Sequence, residues 1–554
     1  MNRFFYILLL LLWLVGCNSH EEITSDLPVI TFEQGESYEI KVGTSLTLSP
    51  SVEYGQRYKW MADGVTLATT PTYTFTSERE GTFYITLRVD NEAGYSQADV
   101  RIDVVALQPP IISFAVGADK ILTLPFGEHT LSAEVLGGED ATFEWRKDGE
   151  IVSRDRSCPL TLTEEGEHRL SLRVENTDGV AEEQLTLRVV RRLEGEIFMA
   201  DSYTVPLSRT LYVDATLWNF SQPTYLWQCE GVTSTDEVFS FTPTTEGEYT
   251  LSLTVSDSDG YSLSRTISVV CTPAEGTFRH AITEQSIATA SKVYAYRPAA
   301  GQFINEPQSG FAGEATAEAA TAYAERRLAE GKYLSLGAWG GYVVVGFDHS
   351  VANVDGERDF SIAGNMYEGS SEAGIVWVMQ DENGNGLPDD VWYELRGSEW
   401  GTPNHSRGYA ITYYRPSAEG MNVQWHDNRG QSGTMKRNAT HTHGYYYPAW
   451  EQDTFTLYGS WLAPNTEVDA STGNQVNRAY AWGYADNEGS DSDSGATGEA
   501  VKTYFDIESA VAPNGETVAL QYIDFVKIQS AINHSAGVLG EISTEVLSVK
   551  DENL

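Results

Sequence analysis

The segment Asp381-Glu382-Asn383-Gly384-Asn385-Gly386-Leu387-Pro388-Asp389-Asp390 carries the sharpest chemical signal in the chain. Oxygen-bearing side chains at alternate positions can turn inward on one hard cation, and Gly386 allows the bend such a loop needs. Asp381, Asn383 and Asn385 would supply side-chain oxygens, Leu387 its carbonyl, and Asp389 or Asp390 the closing carboxylate. Ca2+ is therefore the expected cofactor. The loop departs from an EF-hand in two respects: Trp392 stands where the closing Glu belongs, and both flanks read as strands. The same residues also suit a plain hairpin turn.

Other groups are weaker. His441-Thr442-His443 puts two imidazoles on one side of an expected strand, with His426 near in sequence. Zinc would need a third ligand, which no local Cys or Glu supplies. Polar residues on an exposed strand are the simpler reading. The acidic run at 486–493 reads as a solvated loop, with a second cation loop as the alternative. Trp400, His405, Trp425, His426, His443 and Tyr446 could contact a large planar ligand, although core packing or an ordinary loop role is the simpler reading of each. There is no G-x-S-x-G elbow, no phosphate-cradling Gly-rich loop and no H-E-x-x-H helix. The expectation is a protein that is not an enzyme, with a glycosidase-type carboxylate pair as the open alternative.

These residues must be positioned by a chain of 554 residues, long enough for several domains. A net charge of −43 argues against nucleic acid, whose phosphates it would repel, and against docking on an anionic membrane surface. At the start, Arg3 precedes an apolar run over 4–15 that ends in Leu14-Val15-Gly16-Cys17. The run is too short to span a bilayer and reads as a signal peptide, residues 1–16. The last four residues resemble a bacterial lipobox, so Cys17 is the expected lipidation site and residues 17–27 a linker. The Glu21-Glu22 pair behind it resembles the surface-export signal of Bacteroidota lipoproteins. The expected location is the outer membrane, facing outward, held by the lipid alone. Cys158, Cys229 and Cys271 remain. A Cys229–Cys271 bridge is conceivable, and buried free thiols are favoured.

A period of roughly 80 residues runs through the first half. Trp60, Trp145 and Trp227 occupy the same place in it. So do Gly81, Gly166 and Gly247, and the turn glycines Gly94, Gly179 and Gly260. Runs such as Tyr84-Ile85-Thr86-Leu87-Arg88-Val89 alternate as half-buried strands do. The Trp, the E-G-x-[YFH] step, the L-x-V strand and the turn Gly make the units resemble PKD domains. That resemblance implies immunoglobulin-like sandwiches acting as spacers, at 28–106, 107–191 and 192–273. The Pro109-Pro110 step between the first two implies limited bending.

From about 278 the pattern changes. Residues 313–330 have strong helix propensity. The rest is β-like, with Gly-rich turns and eight of the thirteen tryptophans. The expected fold is mainly β: three immunoglobulin-like (PKD-like) repeats, then a larger β-sandwich or jelly roll over 278–554 with one short helix and the ligand site.

The phrases YRPAAGQFINEP at 296, SLGAWGGYVVVGFDHS at 335, DENGNGLPDDVWYELRGSEW at 381, ITYYRP at 411, YYYPAW at 445 and IDFVKIQSAINHSAGVLGEISTEV at 523 resemble, as a set, a family of Bacteroidota cell-surface lipoproteins. The family pairs PKD-like repeats with this C-terminal domain and accompanies outer-membrane transporters, many of them for cobalamin and related corrinoids. The resemblance implies capture of a corrinoid for a transporter partner. A glycan-binding module of a polysaccharide-uptake system and an adhesin or structural surface protein are the alternatives.

Overall fold

A computed structural model describes residues 26–307, 311, 314–493 and 500–554. Cys17 and the signal segment lie outside the described residues. The chain divides into two compact units, Met1–Pro109 and Pro110–Leu554.

The alternating segments of the repeats build the same sheet three times. In the first repeat, Ser37–Lys41, Tyr95–Val105, Gly81–Asp90, Arg57–Ala62 and Val65–Ala68 lie side by side in that order. The first of these pairs parallel with the last strand of the repeat, and the other pairings are antiparallel. The second repeat repeats the order with Ile121–Pro125, Gly179–Val190, Gly166–Asn176, Thr142–Lys147 and Glu150–Ser153. The third does so with Ser202–Pro206, Ser262–Thr272, Gly247–Ser256, Thr224–Cys229 and Val232–Ser234. Trp60, Trp145 and Trp227 are fully buried, each in the core of its own repeat.

The long hairpins close as their turn residues require. Asn91 Oδ1 accepts from the Ala93 and Gly94 N–H groups, and Asn176 Oδ1 from those of Asp178 and Gly179. Gly94 and Gly179 sit at φ +146° and +156°, which a side chain would strain. Cys158, Cys229 and Cys271 are free and buried, as small apolar side chains are, and burial pushes the Cys158 thiol up to about 11.

In the C-terminal domain, Lys292–Arg297, Tyr342–Ala352, Tyr522–Ser530, Gly374–Met379, Tyr393–Leu395 and Ala510–Val511 form a six-stranded sheet. A four-stranded sheet holds Ser432–Met435, Val423–Asp427, His405–Tyr414 and Thr454–Leu462, and a smaller sheet holds Lys502–Phe505, Phe360–Ala363 and Ser548–Asp551. One α-helix, Ala317–Ala329, starts at an N-cap where Thr316 Oγ1 accepts the Ala319 N–H. It buries Ala320, Tyr323 and Ala324, with the Tyr323 ring 6.2 Å from Tyr296. No described helix is long and apolar enough to cross a membrane.

The second and third repeats dock on this domain. Ser417 donates to the Ile112 carbonyl at 2.9 Å, and Asn422 Nδ2 to Glu134 at 2.6 Å. In the third repeat, Trp218 meets His426 edge-on at 4.9 Å, Phe198 stacks on Tyr458 at 5.5 Å, and Leu217 accepts from Asn428. Arg407 bridges Asp214 of the repeat and Glu394 of the domain. The buried side chains of this repeat and of the domain form one continuous cluster. Two of the three expected spacers therefore pack directly on the C-terminal domain.

Candidate functional site

The loop over 381–390 joins Gly374–Met379 to Tyr393–Leu395, antiparallel neighbours in the large sheet. It gathers all five expected side chains. Asp381 is buried and turns both oxygens on the loop backbone: Oδ1 accepts from Gly384 and Asn385 N–H, and Oδ2 from Gly386 N–H at 2.8 Å. Gly384 and Gly386 adopt φ +73° and +70°, which makes this wrap possible. Asn383 Nδ2 donates to Asp389 and Asp390, and Asn385 Nδ2 to both oxygens of Asp389. In this arrangement the amide nitrogens satisfy the carboxylates. A half-turn of each amide would present oxygen instead, the donor a hard cation takes. Burial pushes the Asp390 carboxyl up to about 7.

The loop is tied to its surroundings through Glu382, whose carboxylate pairs with Arg209 of the third repeat. Arg209 also reaches Gln380 at 2.6 Å. On its other side, the Asp381 N–H donates to Asp524 at 2.7 Å, and burial pushes the Asp524 carboxyl up to about 6.

The six aromatic and histidine residues form three pairs along the chain, and Trp425 and Tyr446 belong to one aromatic cluster. Trp400 and His405 lie 4.7 Å apart, ring to ring, and His405 Nε2 is 2.7 Å from Glu394. Trp425 and His426 share one strand. His426 Nδ1 lies 2.5 Å from the Tyr414 hydroxyl and its ring abuts Trp218, so burial holds its imidazole below the usual range. His443 and Tyr446 stack at 5.0 Å. The Tyr446 side chain is buried, and its hydroxyl donates to the His441 carbonyl. Trp425 and Tyr446 pack in that cluster, and His426 serves the repeat contact. His441 and His443 lie on an irregular segment instead of a strand. Each is already engaged, His441 with Glu306 at 2.6 Å and His443 with the Ile304 carbonyl at 2.8 Å.

The acidic run at 486–493 differs most from its expected solvated state. Asp486 and Asn487 are fully buried. Asp486 accepts from the Asn365 and Glu545 N–H groups at 3.0 Å each. Its carboxylate, Glu372 and Glu545 place ligand-capable oxygens within 4.8 Å of one another. Burial and mutual repulsion hold Glu372 and Asp486 well above the usual carboxylate range, while burial pushes Glu545 up to about 7 and nearby Glu541 up to about 8. Carboxyls so placed can share protons, and an all-oxygen set is also the kind that suits a hard cation. No local pattern announces the trio, because its members lie far apart in the chain.

A cleft of about 640 Å3 lies between the helix and Lys292–Arg297. Its charged groups Arg297, Glu451 and Glu325 are already engaged. Arg297 is paired with Glu451 through two bonds, and Glu325 accepts the Val293 N–H.

Residues 28–91 match the PKD-like domain family. No curated protein matches the chain. Among solved structures, a three-domain immunoglobulin fragment of titin, I67–I69, is 13% identical, covers 44% of this chain and 98% of its own, with a TM-score of 0.22. The three N-terminal domains of the outer capsid protein Hoc of bacteriophage RB49 are 13% identical over 45% of this chain and all of theirs, with a TM-score of 0.23. Domains 3–5 of Drosophila OTK are 13% identical over 44% of this chain and 97% of theirs, with a TM-score of 0.17. The repeated sheets described above make this a mainly β protein with three immunoglobulin-like repeats, the first of which matches the PKD-like family model.

Proposed function

We propose that this chain is a lipid-anchored, non-enzymatic surface protein whose C-terminal domain captures a ligand and hands it to an outer-membrane transporter. The observation that carries this reading is chemical asymmetry. The repeats have apolar cores around one Trp each, whereas the C-terminal domain gathers buried carboxylates, guanidiniums and clefts. Cys17 carries the lipid, and Cys17→Ser would abolish incorporation of labelled fatty acid. A corrinoid is the first ligand to test, on the strength of the family resemblance. The direct test follows visible absorbance while the protein and cyanocobalamin pass a sizing column. Colour travelling with the protein at micromolar concentration supports the reading, and complete separation removes that ligand.

A glycan ligand is the second reading, favoured by Trp482 of the C-terminal domain, whose side chain is exposed. Ca2+ in the loop over 381–390 would fix the hairpin on which Glu382 meets Arg209. Calcium added to chelated protein should then raise the melting temperature by several degrees, and no change would remove the ion from the account.

A further inference from the structure

An Asn followed by Gly is the step of a chain most open to spontaneous deamidation, because Gly has no side chain to shield its nitrogen. The sequence has three such steps, at Asn383, Asn385 and Asn514. Two of them lie side by side in the loop over 381–390, where Asn383 is half-buried and Asn385 exposed, so water reaches both. The reaction needs only water. The Gly nitrogen gives up its proton to solvent and attacks the Asn Cγ. The new N–Cγ bond closes a cyclic imide, the Cγ–Nδ2 bond breaks, and the amide nitrogen takes up a proton and leaves as ammonia. Water then opens the ring, giving aspartate or the isomer in which the chain runs through the side chain.

The loop needs both glycines. Gly384 and Gly386 stand at positive φ, and a Cβ on Gly384 would lie 2.5 Å from Phe278 Cδ1. Its attacking nitrogens are restrained instead. The Gly384 N–H donates to Asp381 Oδ1 at 2.7 Å, and the Gly386 N–H to Asp381 Oδ2 at 2.8 Å. A carboxylate that close disfavours the amide anion the attack requires, since two negative charges would then adjoin. The target amides are tied at both ends. Asn383 Oδ1 accepts the Asn385 N–H at 2.9 Å, and Asn385 Oδ1 the Leu387 N–H at 2.7 Å. Their Nδ2 groups donate to Asp389 and Asp390. At the third step the Gly515 N–H donates to a neutral acceptor, the Ala512 carbonyl, at 2.8 Å.

We propose that Asn383 and Asn385 are latent deamidation sites and that Asp381 is the side chain that keeps them inert. Opening the loop then starts a one-way change. Each conversion removes an Nδ2 donor from the carboxylates of Asp389 and Asp390 and adds a negative charge beside Asp381, Glu382, Asp389 and Asp390. The added repulsion and the altered backbone loosen the hairpin on which Glu382 meets Arg209 of the third repeat.

The full chain in mild detergent is held at pH 8 with a chelator, and conversion at each of the three steps is followed by peptide mass spectrometry. The same chain in guanidinium chloride and the variant Asp381→Ala are treated alike. In the folded chain Asn383 and Asn385 should convert at least tenfold more slowly than in the unfolded one. Asp381→Ala should remove that protection and leave the rate at Asn514 unchanged. If Asn514 accelerates as well, the variant has lost its fold, and Asp381→Asn replaces it, keeping the size of the side chain and one acceptor oxygen. One loop step or both should then accelerate with Asn514 unchanged, and any other pattern overturns the guard. Equal rates at the loop steps in folded and unfolded chain, or an Asp381→Ala chain as slow as the unaltered one, overturn the proposal.

Discussion

The repeats and the C-terminal domain are both β-structure, but they treat charge in opposite ways. In the described repeats the only buried carboxylate is Asp257, held by Arg192. Other charges lie on strand surfaces, as Arg188 and Glu167 do. The C-terminal domain buries Asp359, Asp381, Glu394, Asp486, Glu541 and Glu545, among others. Removing a carboxylate from water is costly unless it is paired, bonded or protonated. A sandwich that only has to fold can avoid that cost. A domain that accepts it has oxygen and nitrogen atoms held in fixed places, as binding requires.

The comparison can be broken at several points. The largest effect belongs to the apolar side. Trp60→Ala should cost about 4 kcal/mol through the cavity it leaves. Because Met1–Pro109 is its own compact unit, calorimetry should show one transition moving and the rest unchanged. A single shifted transition would deny the independence of that unit.

Next comes Arg407→Ala. Its guanidinium lies between Asp214 and buried Glu394. The loss should be about 3 kcal/mol, because a buried carboxylate loses a cation and the third repeat loses its bridge. Thermal unfolding of the variant with Asp214→Asn added should show much less than additive loss.

Glu541 sharpens the contrast through pH. Its folded carboxyl holds a proton up to about 8, whereas the unfolded group releases it near its ordinary value of 4.5. The stability this gives is complete below about pH 4.5 and falls as pH rises through 8. The chain should therefore melt lower at pH 9 than at pH 6. Glu541→Gln should recover on the order of 2 kcal/mol at pH 9 and little at pH 5. An equal effect at both pH values would mean that the carboxyl is ionised in the fold.

The smallest expected change is Asn91→Ala. It removes the acceptor for the Ala93 and Gly94 N–H groups and should cost the first unit about 1 kcal/mol, measured by urea unfolding.

What could be read in the sequence follows the same division. The repeats rest on local signals: strand alternation, a Trp between sheets, and Asn or Asp before a turn Gly. The helix was legible from Ala and Glu content, and Thr316 decides where it starts. The loop over 381–390 was legible because its partners are neighbours. The carboxylate trio was not, since Glu372, Asp486 and Glu545 meet only through the fold. Composition also left the role of the aromatics open. Tyr446 and Trp425 are types that bind ligands and types that fill cores, and only the fold says which. Trp482 received no attention beside them, because exposure has no local signature.

The central claim is that capture belongs to the C-terminal domain and its bracing repeats, with the first repeat uninvolved. The most direct measurement compares cyanocobalamin and oligosaccharide binding by the whole chain and by a chain beginning at Pro110. The account predicts one ligand bound with equal affinity by both. Binding lost with residues 26–109, or absent from both chains, would contradict it.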